Sequence, residues 1–265
     1  LYERRKVAAL EVEQMVKSQS STGQLESVEA LVEVLGSQYA LSSKLNARKG
    51  GLLCLAATAV GLAAAPEDAL ESASRRLLPG IVPPILASFT DPDPRVRYYA
   101  LEALYNVAKS LRARFLPVFP EVFDALFRVC ADADQSVQTA ASFLDNLVKD
   151  VVAESGHFDW ASFVPRLETC MGVGNPFKQQ FLLGWLSLLD SLPEVDLAAH
   201  LPSLLPGLLL LLGEDTPEIR VAALRLVRDM ESDLLSGARS ADVAAVAQVL
   251  AQTLIADRLQ ETQGG

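Results

Sequence analysis

The stretch DPDPRVR, Asp91 to Arg97, decides the fold. Two Asp-Pro steps run straight into Arg-Val-Arg and then into a tyrosine-bearing apolar segment. Paired carboxylates beside arginine and tyrosine are ingredients of an acid–base centre, but equally of a turn that opens a helix. Aspartate accepts hydrogen bonds from the free amides of a helix start, and proline suits the first helical turn, where its missing N–H is no loss. Beyond the turn, Val96, Ala100, Ala103, Leu104 and Val107 recur at the spacing of one helical face. Asp91, Asp93 and Arg97 therefore read as structural residues of a helix-turn-helix joint.

The joint recurs. DADQSVQ (Asp132 to Gln138) and GEDTPEIR (Gly213 to Arg220) each follow one apolar run and precede another. The polar residue behind the small aliphatic is Arg97, then Gln138, then Arg220, so Asp132, Asp134 and Arg220 read as joint residues too. Arg48 in NARKGG and Lys178 in NPFKQQF take a similar place. Across Arg48, Arg97, Gln138, Lys178 and Arg220 the gaps are 49, 41, 40 and 42 residues. A period near 40 with two helices per unit is the signature of HEAT-type repeats. The recurrent basic residues are expected to bond turn carboxylates and carbonyls of neighbouring repeats.

The same reading over the whole chain predicts helices near 1–17, 25–40, 45–63, 68–88, 94–112, 117–130, 135–153, 159–171, 176–191, 197–212, 217–235 and 241–259. That is an all-α HEAT-repeat α-solenoid of about five complete helix pairs with an extra helix at each end. It is expected to be a single array over 1–265, because linkers such as SQSSTG and ESGHFD are short and polar. Helices packed about 8–10 Å apart predict an elongated arc roughly 60 Å long. The chain opens at Leu1 inside an amphipathic pattern and carries no signal-peptide signature, so it is expected to be a piece of something longer.

Composition narrows the function. Half of the 265 residues are hydrophobic and the net charge is −10. That balance argues against nucleic acid, whose binders carry a basic face, and against an anionic membrane surface for the chain as a whole. Cys54, Cys130 and Cys170 are an odd set at spacings that suit neither zinc nor a redox pair. They are expected to be buried thiols on apolar helical faces. The apolar runs Gly50 to Ala65 and Leu201 to Leu212 are 16 and 12 residues long, short of the ~20 that a span needs. They read as helices buried between neighbours.

No catalytic constellation emerges. His157 and His200 are the two histidines, and neither has a second ligand at metal spacing. GxSxG, P-loop, HExxH and GxGxxG motifs are absent from the sequence. Trp160 and Trp185 lie on or beside apolar faces. Neither enzyme activity nor a cofactor is expected. Tyr98, Leu101, Tyr105 and Lys109 fall at i, i+3, i+7 and i+11, off the main core stripe. They read either as packing against an adjacent repeat or as a partner contact, because amphipathic tyrosines are favoured at interfaces. Tyr98, Tyr105, Lys109 and the neighbouring Lys149 are the candidate partner-binding residues. The basic cluster Arg4, Arg5 and Lys6 reads as a solvated face.

LYERRKVAALEVEQMVK, NARKGGLLCLAATAVGL, DPDPRVRYYALEALYNVAKSLR, EVFDALFRVCADADQSV, LVKDVVAES and NPFKQQFLLGWLSLLDSLPEVDL occur in that order. Together they resemble the N-terminal HEAT region of the Vac-fourteen family, from residue 1 to about 212. The most specific elements are NARKGG, RVRYYALEALYN and NPFKQQF. The resemblance implies a non-catalytic scaffold of the PIKfyve lipid-kinase complex. Such a scaffold docks a phosphatidylinositol 3-phosphate 5-kinase and a Sac-domain phosphoinositide phosphatase, and so sets phosphatidylinositol 3,5-bisphosphate synthesis and turnover. It further implies a cytoplasmic protein, peripheral on vacuolar or late-endosomal membranes through the complex. Phosphatase binding and self-association belong to the family's C-terminal part and are not expected from this chain alone. Gln138 departs from the basic residue that the family favours.

A HEAT adaptor of another class is the alternative. A transport adaptor of importin type would need recurrent acidic or Asn-rich inner positions, and a tubulin-binding array would need basic, aromatic-tipped loops. Neither pattern recurs in the sequence.

Overall fold

The computed structural model describes residues 2–22, 24–156, 158–236 and 241–263, with side chains described for all of these except 68 and 254–263. Its elements are α1 (Tyr2–Ser21), α2 (Leu25–Val34), α3 (Leu45–Leu62), α4 (Glu67–Ala87), α5 (Pro94–Leu111), α6 (Phe119–Val129), α7 (Gln135–Glu154), α8 (Trp160–Cys170), α9 (Pro176–Ser191), α10 (Leu201–Leu212), α11 (Pro217–Leu235) and α12 (Val243–Gln263). No strand occurs among the described residues. The fold is the all-α, HEAT-type succession of helix pairs that the joint predicts. A π-helical turn, Leu35–Ala40, extends α2, and 3-10 turns lead into α6 and α10.

The chain divides into two compact units, Leu1–Phe158 and Asp159–Gly265, at the polar ESGHFD segment. In the first unit α3 packs between α1 and α5, and α5 between α3 and α7, forming one layer. α2 packs against α4, and α4 against the turn before α6, forming the second layer. In the second unit α9 adjoins α11, while α10 touches α8, α11 and α12.

Packing on several sides explains the burial. Val96, Ala100, Ala103, Leu104 and Val107 of α5 are all buried, each worth about 1–3 kcal/mol by apolar area, least for the alanines. Leu101 is also fully buried, contrary to its placement off the core stripe. A helix flanked by α3 and α7 and backed by the second layer buries a wider arc than one stripe. The Gly50–Ala65 run forms most of α3, which is buried for the same reason. Among the described residues no helix is long and apolar enough to cross a membrane.

Two glycines let α3 approach its neighbours closely. A Cβ on Gly51 would lie 2.4 Å from the Ala40 backbone nitrogen, so α3 runs directly against the π turn. A Cβ on Gly61 would lie 2.7 Å from the Glu13 carbonyl oxygen of α1. Separations below 3 Å leave no room for a side chain at either place. Trp185 is fully buried in α9 and meets Phe163 of α8 edge-on at 5.3 Å. Of the thiols only Cys54 is buried. Cys130 and Cys170 are half-buried because each closes its helix at the turn.

Candidate functional site

The Asp-x-Asp joints divide their work between two carboxylates. Asp93 caps α5 by accepting a 2.8 Å hydrogen bond from the Arg95 amide. Asp134 caps α7 by accepting from the Ser136 and Val137 amides. The first aspartate holds the turn: Asp91 Oδ1 accepts from the Asp93 amide, and Asp132 Oδ1 from the Asp134 amide, each at 2.9 Å. Both first aspartates are also gripped from the preceding repeat. Arg97 donates to Asp132 through Nε and Nη2, each at 2.7 Å, while its Nη1 donates to the Asp91 carbonyl. Arg48 Nε lies 2.7 Å from Asp91 Oδ2, although only its Nη2 bond of 3.3 Å is aligned as a hydrogen bond.

The ladder has a constant reach. Side chains at 48, 97, 138, 179 and 220 each donate to the backbone carbonyl six residues earlier: Ser42, Asp91, Asp132, Val173 and Glu214. In the fourth joint the residue is therefore Gln179, not Lys178. Gln179 is buried and also donates to Glu214 Oε1 of the next joint at 2.5 Å. Arg220 donates to the Glu214 and Asp215 carbonyls.

Burial raises the Asp132 carboxyl, but the Arg97 hydrogen bonds, the Asp134 amide and the guanidinium charge outweigh it. The group titrates below the ordinary aspartate range. Arg97 is raised in turn, chiefly by its bond to Asp132. These carboxylates are committed to holding repeats together.

The open chemistry lies between α5 and α7. Tyr98, Glu102, Tyr105 and Asn106 of α5 face Ala140 and Phe143 of α7 across a groove of about 310 Å³. Phe143 is 64% exposed and Tyr98 39%, so two large ring side chains lining one groove stand partly in solvent. Partial desolvation by its neighbours raises the Glu102 carboxyl, although the residue is exposed. An adjoining hollow of about 440 Å³ shares Tyr98 and adds Pro94, Arg95 and Tyr99. A ring-lined groove edged by one carboxylate suits a partner's apolar side chains.

Of the four candidate contact residues, the structure brings Tyr98 and Tyr105 together on this groove. Lys109 is exposed further along α5 and does not line it. Lys149 is largely buried and donates to Asp145 at 2.6 Å, which makes it part of α7's own packing. Phe143 and Glu102 were not among the sequence candidates. His200 lies 3.5 Å from Glu168, and His157 falls outside the described residues. No cluster of three metal-binding side chains occurs among the described residues.

Residues 46–150 match the model of the Vacuolar 14 Fab1-binding region. The chain is 43% identical over 252 residues to Protein VAC14 homolog of Arabidopsis thaliana, covering 95% of this chain and 33% of that protein. It is 34% identical over 259 residues to Vacuole morphology and inheritance protein 14 of Saccharomyces cerevisiae, covering 83% and 29%. The Schizosaccharomyces pombe VAC14 homolog is 29% identical over 267 residues, covering 86% and 32%. The chain thus spans about a third of the length of the curated relatives it matches. A 252-residue alignment extends past Leu212, where the sequence motifs thin out.

Proposed function

The chain belongs, over the length it shares with these relatives, to the VAC14 family, and from that premise we propose that it is a non-catalytic docking array for a Fab1/PIKfyve-type lipid kinase. The observation that carries the reading is the match of residues 46–150 to a Fab1-binding region. That segment contains α5 and α7, and with them the groove of Tyr98, Tyr105 and Phe143. The groove is the proposed kinase contact. A stable dock covers about 800 Å² on each partner, so the contact extends beyond this groove along α5 and α7.

The mechanism is presentation. Repeats locked by the Arg48–Asp91 and Arg97–Asp132 bonds hold the contact side chains in fixed register. A kinase held in this way meets its other partners at raised effective concentration. The reading extends to phosphatidylinositol 3,5-bisphosphate synthesis and turnover on vacuolar or late-endosomal membranes, with peripheral attachment through the complex. It assigns a Sac-domain phosphatase and self-association to parts of the relatives beyond the shared third. It also takes both units as one array, supported by the ladder positions at 138, 179 and 220, which keep a constant spacing of 41 residues.

Co-purification with a Fab1-type kinase tests the reading. The wild-type chain is expected to capture the kinase. Tyr98→Ala combined with Tyr105→Ala is expected to lose capture while circular dichroism shows retained helix. A folded wild-type chain that captures no kinase overturns it.

A further inference from the structure

Lys49 is a charged side chain in an unusual place. It is 6% exposed on α3, and no carboxylate pairs with it among the described residues. Its ammonium sits 5.9 Å from the centroid of the Tyr99 ring on α5. The Arg5 guanidinium of α1 sits 5.8 Å from the same centroid. Arg5 reaches there by crossing α3 at Gly50, where an added Cβ would lie 3.7 and 3.9 Å from its aliphatic carbons. Three neighbouring helices of one layer thus bring two cations onto one aromatic ring.

The cluster is short of negative charge. Arg5 Nη1 donates to Asn46 Oδ1 at 3.2 Å, while its Nε is buried with no hydrogen-bond partner. That bond fixes the Asn46 carboxamide with its oxygen occupied and its NH₂ left to donate. Asp134, which shares the hollow beside Tyr99, caps α7 through the Ser136 and Val137 amides and forms an ion pair with neither Arg5 nor Lys49. A ring face attracts cations, but a ring does not neutralise two of them. Like charges gathered without a counter-ion are unfavourable in the folded chain alone, and a bound anion would offset them.

We propose that Arg5, Lys49, Asn46 and Tyr99 form a binding site for a phosphate monoester. Two cations match a group that carries about −1.5 to −2 at neutral pH better than a single carboxylate. Several acceptor oxygens suit donors arriving from α1 and α3 at once. The site is separate from the Tyr98–Tyr105–Phe143 groove and does not depend on the kinase reading. The same chemistry is supplied by a soluble phosphate ester or by a lipid headgroup.

The test uses the whole 265-residue chain. Glycerol 3-phosphate, titrated against chloride at matched ionic strength, is expected to raise the melting temperature of the wild type. Lys49→Met and Arg5→Gln are each expected to weaken the apparent affinity at least ~10-fold. Arg5 is half-exposed on the first helix, so its variant keeps the test decisive if Lys49→Met fails to fold. Phosphatidylcholine vesicles containing phosphatidic acid, compared with phosphatidylserine at equal surface charge, separate the sources. Preferential capture by phosphatidic acid that needs Arg5 and Lys49 supports the site with a lipid ligand. A soluble response alone supports it with a free ester. A response equal to chloride, or one that survives both substitutions, overturns it. Binding of a hexaglutamate peptide through Arg5 and Lys49 while both phosphate arms fail also overturns it, and gives the cluster to protein carboxylates.

Discussion

The carboxylate of Asp132 accepts two 2.7 Å hydrogen bonds from the guanidinium of Arg97, which lies 35 residues earlier in the chain. Both side chains are largely buried. Fork-to-fork pairing of this kind fixes orientation as well as distance, so one joint sets the position of the next. A ladder of such bonds is a physical basis for register along a repeat protein, where each unit touches only its neighbours.

Asp132→Asn is the direct test of that bond. The amide keeps the shape but faces a guanidinium with a donor, and the expected loss is ~2 kcal/mol at neutral pH. The Asp132 carboxyl is held below its unfolded value. Its contribution is therefore complete above the ordinary aspartate pKa and is lost as pH falls through the lower, folded value. Urea denaturation is expected to show a full gap between wild type and variant at pH 7, narrowing below about pH 4. A gap independent of pH rules out the charged bond as its source.

Gln179 carries the corresponding role in the fourth joint. Gln179→Ala removes bonds to the Val173 carbonyl and the Glu214 carboxylate from a buried site. Its expected cost is ~1–3 kcal/mol. Gln180→Ala, at the exposed neighbouring position, is expected to stay within ~0.5 kcal/mol. Thermal or urea unfolding of these variants, with Lys178→Ala beside them, separates the two readings of NPFKQQF.

A glycine pair gives a second contrast. Gly51→Ala forces a methyl group onto the π turn and is expected to cost ~1–3 kcal/mol. A methyl on adjacent Gly50 meets only Arg5 carbons at 3.7 and 3.9 Å. Gly50→Ala is therefore expected to be neutral or to stabilise by up to ~1 kcal/mol, since alanine favours helix. Equal effects at both positions in denaturation would remove the close approach of α3 as the reason for NARKGG.

The helices were legible because caps and periodicity are local signals. Asp93, Asp134 and Asn175 each sit at a helix start and accept its free amides. The ladder residue stands four positions after the cap: Arg97, Gln138 and Gln179. Counting from the cap identifies Gln179. Matching by charge selects Lys178, because a cation looks more like Arg97 than a glutamine does. Leu101 shows a different limit, since a helix with neighbours on both sides buries residues outside its main stripe. Phe143 was invisible for a related reason: it reaches the tyrosines from another helix, and no single-helix period links 98 with 143. Lys149 looked available in sequence because its charge was weighed alone, although Asp145 stands four residues earlier on the same helix, the spacing at which the structure pairs them.

Phe143 provides the sharpest separation of docking from folding. Its ring is 64% exposed, so Phe143→Asp removes little buried area and is expected to leave the unfolding midpoint almost unchanged. If the groove docks the kinase, a charge in place of the ring is expected to weaken capture at least ~10-fold. Lys149→Ala is expected to behave the opposite way. It loses the 2.6 Å bond to buried Asp145 and ~1–2 kcal/mol of stability, with capture retained at temperatures where the variant is folded. Measuring capture and unfolding on both variants distinguishes a contact surface from a packing surface on α7. Intact capture by folded Phe143→Asp removes this groove from the interface and moves the search to other faces within residues 46–150.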